Sequence, residues 1–401
     1  MSVSETFRPL RLKKNEERRI KQGHLWVYSN EIDTQATPLK DFAAGEPVEL
    51  QDFQGHTLGT GYVNPHSLIC ARLVSRDRKH PFSPSLIVHR LKVALALRER
   101  LYEEPCYRLV FGEADGLPGL VIDRFGDACV MQVTTAGMEV MIDDIAEALD
   151  KVINPRAIWL RNDSSIRIQE GLESYTRCLK GDCPESAEIS EHGLRFLAPL
   201  ATGQKTGWFY DQRDNRRDLG RFVRGGRVLD VFSYLGGWGL QSLAQGAASA
   251  LCVDDSATAL DGVDMNAALN NLQDRLLTRK GDAFEVLKGL HEEGQRFDVV
   301  VVDPPAFIKR KKDMKNGLNA YRRINELAMR LIDRDGFLIS CSCSYHLARE
   351  QLVGVMQGAA RHIDRDLQIL AHGYQSADHP MHPAISETAY LKVVYSRVTR
   401  R

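Results

Sequence analysis

Apolar runs and helical periodicities alternate in regular order through the second half of the 401-residue chain. From Arg227, the stretch RVLDV is followed by a turn with Gly236, Gly237 and Gly239, and WGLQSLAQG then has helical spacing. SALCVDD predicts a second strand ending at Asp254, followed by a helix over 256–272 and a third strand near TRKGD. A helix over AFEVLKGLHEE comes next, then FDVVVV, whose lack of polar alternation marks a strand buried on both faces of a parallel sheet. NAYRRINELAMRLID, GFLISCSCS and LAREQLVGVMQGAARHI continue as helix, fifth strand and helix, and DLQILAHGY with TAYLKVVYSRV predict a closing hairpin. Strand and helix in strict alternation predict a doubly wound α/β domain.

The first half has a different rhythm. Up to about residue 80, strand-like runs (PVELQDF, TLGTGYV, LICARLV) are separated by turn signals at Gly55 and Asn64-Pro65, after a short basic helical pattern in RLKKNEERRIKQ. This predicts a small β domain in which Trp26 fills the core. Between about 85 and 190, SLIVHRLKVALALRERLYE and GMEVMIDDIAEALDKV predict helices. RLVFGEADGLPGLVIDRFGDACVMQVTT predicts two strands around turns at Asp115-Gly116 and Gly126, and RAIWLRN a further strand. The mixture is α+β. Glu113, Asp115, Asp123 and Arg124 there could form a polar site, but turn residues and solvated strand ends explain them equally well, and no chemistry is assigned to them. The expected domains are 1–82, 83–190 and 191–401, with no internal repeat.

Composition adds little to this picture. Hydrophobic content of 43% and charged content of 26% are ordinary for a globular protein. The basic N-terminus lacks the apolar core of a signal peptide, and no apolar run is long enough to span a bilayer. Eight cysteines without paired CxxC spacing argue against a zinc site and predict free thiols in a cytoplasmic protein. Net charge is zero, but residues 308–323 hold seven Lys or Arg against one Asp, and 205–227 hold seven against three. Such blocks are often solvated faces. These two flank the glycine turn, where clustered charge also suits phosphate.

Four carboxylates fall where doubly wound sheets bind ligands, at the carboxyl ends of successive strands: Asp230, Asp254, Asp282 and Asp303. Asp254 would bond the ribose of an adenosine moiety, in either a nicotinamide or an S-adenosylmethionine fold. Asp282 lies where methyltransferases contact the adenine amine. The competing reading of each is a helix N-cap. The glycine spacing departs from the G-x-G-x-x-G of dinucleotide folds. With Asp230 ahead of it, the stretch resembles the first motif of class I S-adenosylmethionine-dependent methyltransferases. In Asp303-Pro304-Pro305-Ala306-Phe307 the prolines hold the chain stiff, so that Asp303 can be presented to a flat polar base. SCSCS separates the base chemistries. Carbon 5 of a pyrimidine becomes nucleophilic only after a thiolate adds to carbon 6, whereas amino-group methylation needs no thiol. Cys341 and Cys343 share a strand face. Cys341 should lie deep and inert, and Cys343 about 6–7 Å nearer the carboxyl edge.

GHLWVYSNEI, GEADGLPGLVIDRFGD, GQKTGWFYDQRDNR, LDVFSYLGG, VDPPAF and SCS occur in this order along nearly the whole chain. Together they resemble the ribosomal RNA large-subunit methyltransferase I family, which makes 5-methylcytosine in 23S rRNA. The resemblance implies an N-terminal PUA-like β-barrel that binds RNA, a central α+β domain and a Rossmann-like domain using S-adenosylmethionine. It also implies a cytoplasmic enzyme with 23S rRNA as partner and no membrane, and it leaves a homodimer open. Lys205, Thr206, Phe209, Asp211 and Arg213 would belong to a segment closing around cofactor and active site. Asp230, Phe232, Gly236, Asp254, Asp282 and Asp303 would line the cofactor site, Asp303 would also hold the cytosine edge, and Cys343 would be the nucleophile. Lys309, Arg310, Lys311 and Lys312 are the expected phosphate contacts. Two departures stand out: Cys341 adds a second thiol, and Ala306 replaces the second catalytic cysteine of two-cysteine RNA cytosine methyltransferases, so the proton-abstracting base is unassigned. The competing functions are a uracil-5 or adenine-amino methyltransferase, and a non-catalytic RNA-binding protein with a vestigial methyltransferase domain.

Overall fold

A computed structural model describes residues 7–400. Two compact units emerge. One takes the chain up to Ala187 together with Pro199–Trp208 and Ala377–Thr388, and the other takes Glu188–Ala198, Phe209–Ser376 and the chain from Ala389.

The first unit holds two sheets. The N-terminal one has five strands in the order Arg8–Arg11, Pro47–Gln51, Thr57–Val63, Ala71–Ser75, Trp26–Val27. Alternate positions of Pro47–Gln51 are buried, as a half-buried strand requires. Leu10, Leu12, Ile20, Val27, Val48 and Leu50 form its core. Gly61 is needed by close packing, since a Cβ there would stand 2.0 Å from the Arg72 carbonyl oxygen. The expectation that Trp26 fills this core is corrected: it is only partly buried, and its indole N–H donates to Glu113 at 2.9 Å.

The second sheet has the order Tyr175–Lys180, Ala157–Asn162, Ala128–Val133, Leu120–Phe125, Cys106–Phe111. Helices Pro84–Leu101 and Ile142–Val152 add buried apolar side chains such as Leu91 and Ile145 to its core. The structure corrects the expected two strands between 106 and 133 to three, because the turns at Gly116 and Gly126 each reverse the chain. The predicted helix over 137–152 is also divided, into Ala136–Glu139 and Ile142–Val152. Asp115 and Asp123 are structural ion-pair partners, of Arg98 at 2.6 Å and Arg108 at 2.7 Å. The expectation of free thiols throughout is corrected at Cys178 and Cys183. Cys178 sits in the strand Tyr175–Lys180 and Cys183 just past its end, 5.7 Å apart at Cα, and they form a disulfide.

The second unit is built on a seven-stranded sheet. Its strands are β1 (Arg227–Val231), β2 (Ser249–Asp254), β3 (Leu276–Lys280), β4 (Phe297–Val302), β5 (Ile332–Ser342), β6 (Arg365–Gly373) and β7 (Lys392–Arg400). Their spatial order is 3-2-1-4-5-7-6, parallel except that β7 runs against both neighbours. The central strands are apolar on both faces, and Val299 to Val302 are fully buried. Five main helices, Gly237–Ala244, Ala257–Leu269, Ala283–Glu292, Met314–Leu331 and Arg349–His362, complete the α/β alternation. The last two strands pair antiparallel as predicted, but β7 inserts between β5 and β6. Among the described residues no helix is long and apolar enough to cross a membrane.

Candidate active site

The loop after β1 is held in an unusual backbone conformation. Phe232 and Tyr234 have φ of 67° and 49°, and Gly236 has 79°, so two side chains occupy the left-handed region that usually costs energy. What over-determines the loop is Asp230. Its Oδ2 accepts the Gly239 N–H at 2.9 Å, and a Cβ on Gly239 would stand 2.5 Å from the Cys252 sulfur. Asp230 is fully buried and its Oδ1 has no hydrogen-bond partner. Burial pushes its carboxyl up to about 7; the Gly239 bond opposes this, while the charges of Asp303 and Asp254 add to it.

Asp254, at the end of β2, is half-buried and braces the same loop. Its Oδ2 accepts from the Tyr234 N–H at 2.9 Å and its Oδ1 from the Ser256 N–H at 3.0 Å. Asp282 has the N-cap geometry that competes with a ligand role. It is exposed, and its Oδ1 accepts from the N–H groups of Phe284 and Glu285 at the start of Ala283–Glu292.

The Asp303 carboxylate is anchored by side chains. Its Oδ2 accepts from Gln212 Nε2 at 3.0 Å and from the Trp238 indole N–H at 3.1 Å. Gln212 is itself fixed by Asn215, whose Nδ2 donates to Oε1 at 2.8 Å. The stiff turn after Asp303 meets the end of β5: Cys343 Sγ lies 3.9 Å from the Pro304 carbonyl oxygen, and the Ile308 N–H donates to Ser344 Oγ at 3.1 Å. Tyr321 secures this junction from its helix, with its hydroxyl 2.8 Å from Ser342 Oγ and 2.9 Å from Ser344 Oγ. The Phe307 ring packs edge-on between Tyr321 at 4.9 Å and Phe232 at 6.4 Å. Cys341 is fully buried in β5, and burial, with Asp303 nearby, pushes its thiol far up. Cys343, one residue past the strand, is partly exposed.

The 203–213 segment divides between the units. In the first, Lys205 is exposed with φ of 51°, and the buried Thr206 hydroxyl donates to Asp123. In the second, Phe209 packs edge-on to Tyr234 at 5.4 Å, and buried Asp211 accepts from the Tyr390 hydroxyl. Arg213 lies 3.8 Å from Glu191. Lys309 to Lys312 are all exposed just before Met314–Leu331. Sequence reasoning missed the donors on Asp303. Gln212 and Trp238 lie unremarked within the stretches GQKTGWFYDQRDNR and WGLQSLAQG.

The strand order, with carboxylates at the carboxyl ends of β1, β2 and β4 around a strained glycine loop, defines a class I S-adenosylmethionine-dependent methyltransferase. The unpartnered, buried Oδ1 of Asp230 fits the cationic methionine end of that cofactor. Family models agree: a PUA-like domain matches residues 10–76, and an S-adenosylmethionine-dependent methyltransferase matches 161–393. Ribosomal RNA large subunit methyltransferase I of Erwinia tasmaniensis is 36% identical over 398 residues, covering 96% of this chain and 98% of the relative. The chain belongs to the ribosomal RNA large subunit methyltransferase I family. Its fold is shared by a candidate S-adenosylmethionine-dependent methyltransferase from Streptococcus mutans, with TM-score 0.81, 19% identity and coverage of 97% and 100% of the two chains. A candidate methyltransferase solved in complex with SAH gives TM-score 0.83, 20% identity and the same coverage.

Proposed function

We propose that the protein transfers a methyl group from S-adenosylmethionine to carbon 5 of a cytosine in 23S rRNA, through a covalent adduct at Cys343. The observation that carries this reading is the meeting of a partly exposed thiol with the Asp303-Pro304-Pro305 turn, 3.9 Å from sulfur to the Pro304 carbonyl oxygen. An amino-group methyltransferase has no use for that thiol.

The cofactor supplies an electrophilic methyl group on a sulfonium. Asp230 and Asp254 are the residues that would hold it, with Phe232 and Gly236 shaping the loop, Asp282 toward the adenine, and Phe209 and Asp211 in the covering segment. Asp303, oriented by Gln212 and Trp238, would hold the cytosine edge. The Cys343 thiolate would add to carbon 6, and the electron pair of the 5,6 double bond would then serve carbon 5 as nucleophile. Loss of the carbon-5 proton restores the double bond and expels the thiolate. The domain at 1–82 would grip RNA outside the reacting base.

Nucleoside mass spectrometry of bulk rRNA incubated with the protein and S-adenosylmethionine should show 5-methylcytidine. Methylated uridine or adenosine would replace this reading with its neighbours, and no product with intact cofactor binding would favour an RNA-binding role. Neutralising Lys309, Lys311 and Lys312 should weaken RNA binding. It should also flatten the dependence of log K on log salt by slightly less than about one unit for each phosphate no longer neutralised. An unaltered slope would make the block a solvated face.

A further inference from the structure

A buried lysine stands beside this site without a carboxylate. Lys392 opens β7 opposite Ser342 of β5, one residue from Cys343. The residue is only 7% exposed, and its ammonium donates to the Ser344 carbonyl oxygen at 2.6 Å. Among the described residues no Asp or Glu lies within ion-pair distance of it. A buried ammonium without a counter-charge is costly unless something nearby supplies one. The neighbouring charged group of opposite sign is Cys343 when ionised.

The other groups facing the pair do not compete for this role. Arg349, from the helix Arg349–His362, has its guanidinium on the carbonyls of Val393 and Gly373 and is positive like the lysine. The Tyr321 hydroxyl accepts from Ser342 Oγ and is hydrogen-bonded to Ser344 Oγ, and burial raises its pKa. Cys341 is buried and held protonated. Burial pulls Lys392 down to about 8, with Arg349 pushing the same way and the Cys343 charge opposing.

We propose that Lys392, as the neutral amine, accepts the Cys343 thiol proton and then, as the ammonium, stands as counter-ion to the thiolate, so that the nucleophile is ready before RNA arrives. The S–H bond breaks and an N–H bond forms. The pair left on sulfur adds to carbon 6, and the thiolate expelled at the end returns to the same ammonium. Lys392 thus acts through Cys343 as a positioning residue. The inference rests on the reading of Cys343 as nucleophile.

The test is the pH dependence of iodoacetamide alkylation at Cys343 in the full-length protein, read by peptide mass spectrometry apart from the other cysteines. Lys392→Gln keeps a donor for the Ser344 carbonyl and removes the charge. It should raise the alkylation midpoint by at least about one pH unit and slow alkylation at pH 7 about tenfold. Lys392→Arg, which restores the counter-charge but cannot take the proton, should restore the midpoint, and Lys392→Met serves if the Gln variant does not fold. A midpoint unchanged in a folded, charge-free variant overturns the proposal. Methylation that survives Cys343→Ala would instead overturn the nucleophile reading, and the thiol titration would still stand on its own.

Discussion

Cys343→Ala is expected to abolish methylation and, with it, any covalent enzyme–RNA adduct, whereas Cys341→Ala is expected to keep both. The two thiols are two residues apart on one strand but differ in what surrounds them. Cys341 is fully buried within β5, where an apolar setting keeps a thiol protonated and inert. Cys343 lies just beyond the strand end, partly exposed and against the Pro304 carbonyl. RNA carrying 5-fluorocytosine at the target cannot lose a proton from carbon 5, so wild-type protein should stay attached to it on a denaturing gel. Cys343→Ala should show no such band and a loss of turnover of several orders of magnitude, as expected when a covalent route is removed. Cys341→Ala should retain the band at a stability cost of roughly 1 kcal/mol for the small cavity. An adduct that persists in Cys343→Ala and vanishes in Cys341→Ala would reverse the assignment.

The sheet was legible because its signals are local. FDVVVV has no polar alternation, and Asp230, Asp254 and Asp303 each end a run of strand residues, so their place at one edge follows from the fold class alone. What fixes those carboxylates was not legible. Gln212, Trp238 and Asp303 come from three separate elements, and neither periodicity nor spacing encodes that two donors share one oxygen. Lys392 was hidden for another reason: in TAYLKVVYSRV it reads as an ordinary polar position of an edge strand. Only the placement of β7 between β5 and β6 brings it beside Cys343. The three strands of 106–133 were compressed to two because the two-residue turn at Gly126-Asp127 leaves almost no polar sequence between Leu120–Phe125 and Ala128–Val133. The disulfide between Cys178 and Cys183 depends on a chain reversal that cysteine spacing does not announce.

Asp230→Asn should make the cofactor-free protein more stable at pH 8 while weakening S-adenosylmethionine binding at least about tenfold. In the folded protein the carboxyl is raised from 3.8 to about 7, chiefly by burial. The folded state therefore binds more protons than the unfolded chain between those values, and stability falls as pH rises through that window. Below about pH 4 the two states are protonated alike and the group contributes no penalty. By pH 8 the buried charge costs at most roughly 4 kcal/mol, from 1.36 kcal/mol for each pH unit between the two values. Asparagine keeps an oxygen for the Gly239 N–H, now 2.9 Å from Oδ2, and carries no charge to bury. The substitution should accordingly raise the apo Tm by several degrees at pH 8, with the gain fading toward pH 5. The loss of affinity has the opposite sign because the cofactor is cationic at its methionine end. It would supply the missing partner for the ionised, unpaired Oδ1, and an amide cannot match that attraction. Scanning calorimetry across pH with and without cofactor, together with titration calorimetry, reads both effects. A stability gain that does not vary with pH would mean that the wild-type carboxyl carries no ionisation penalty. An unchanged cofactor affinity would mean that the strained loop, rather than the charge it holds, makes the site.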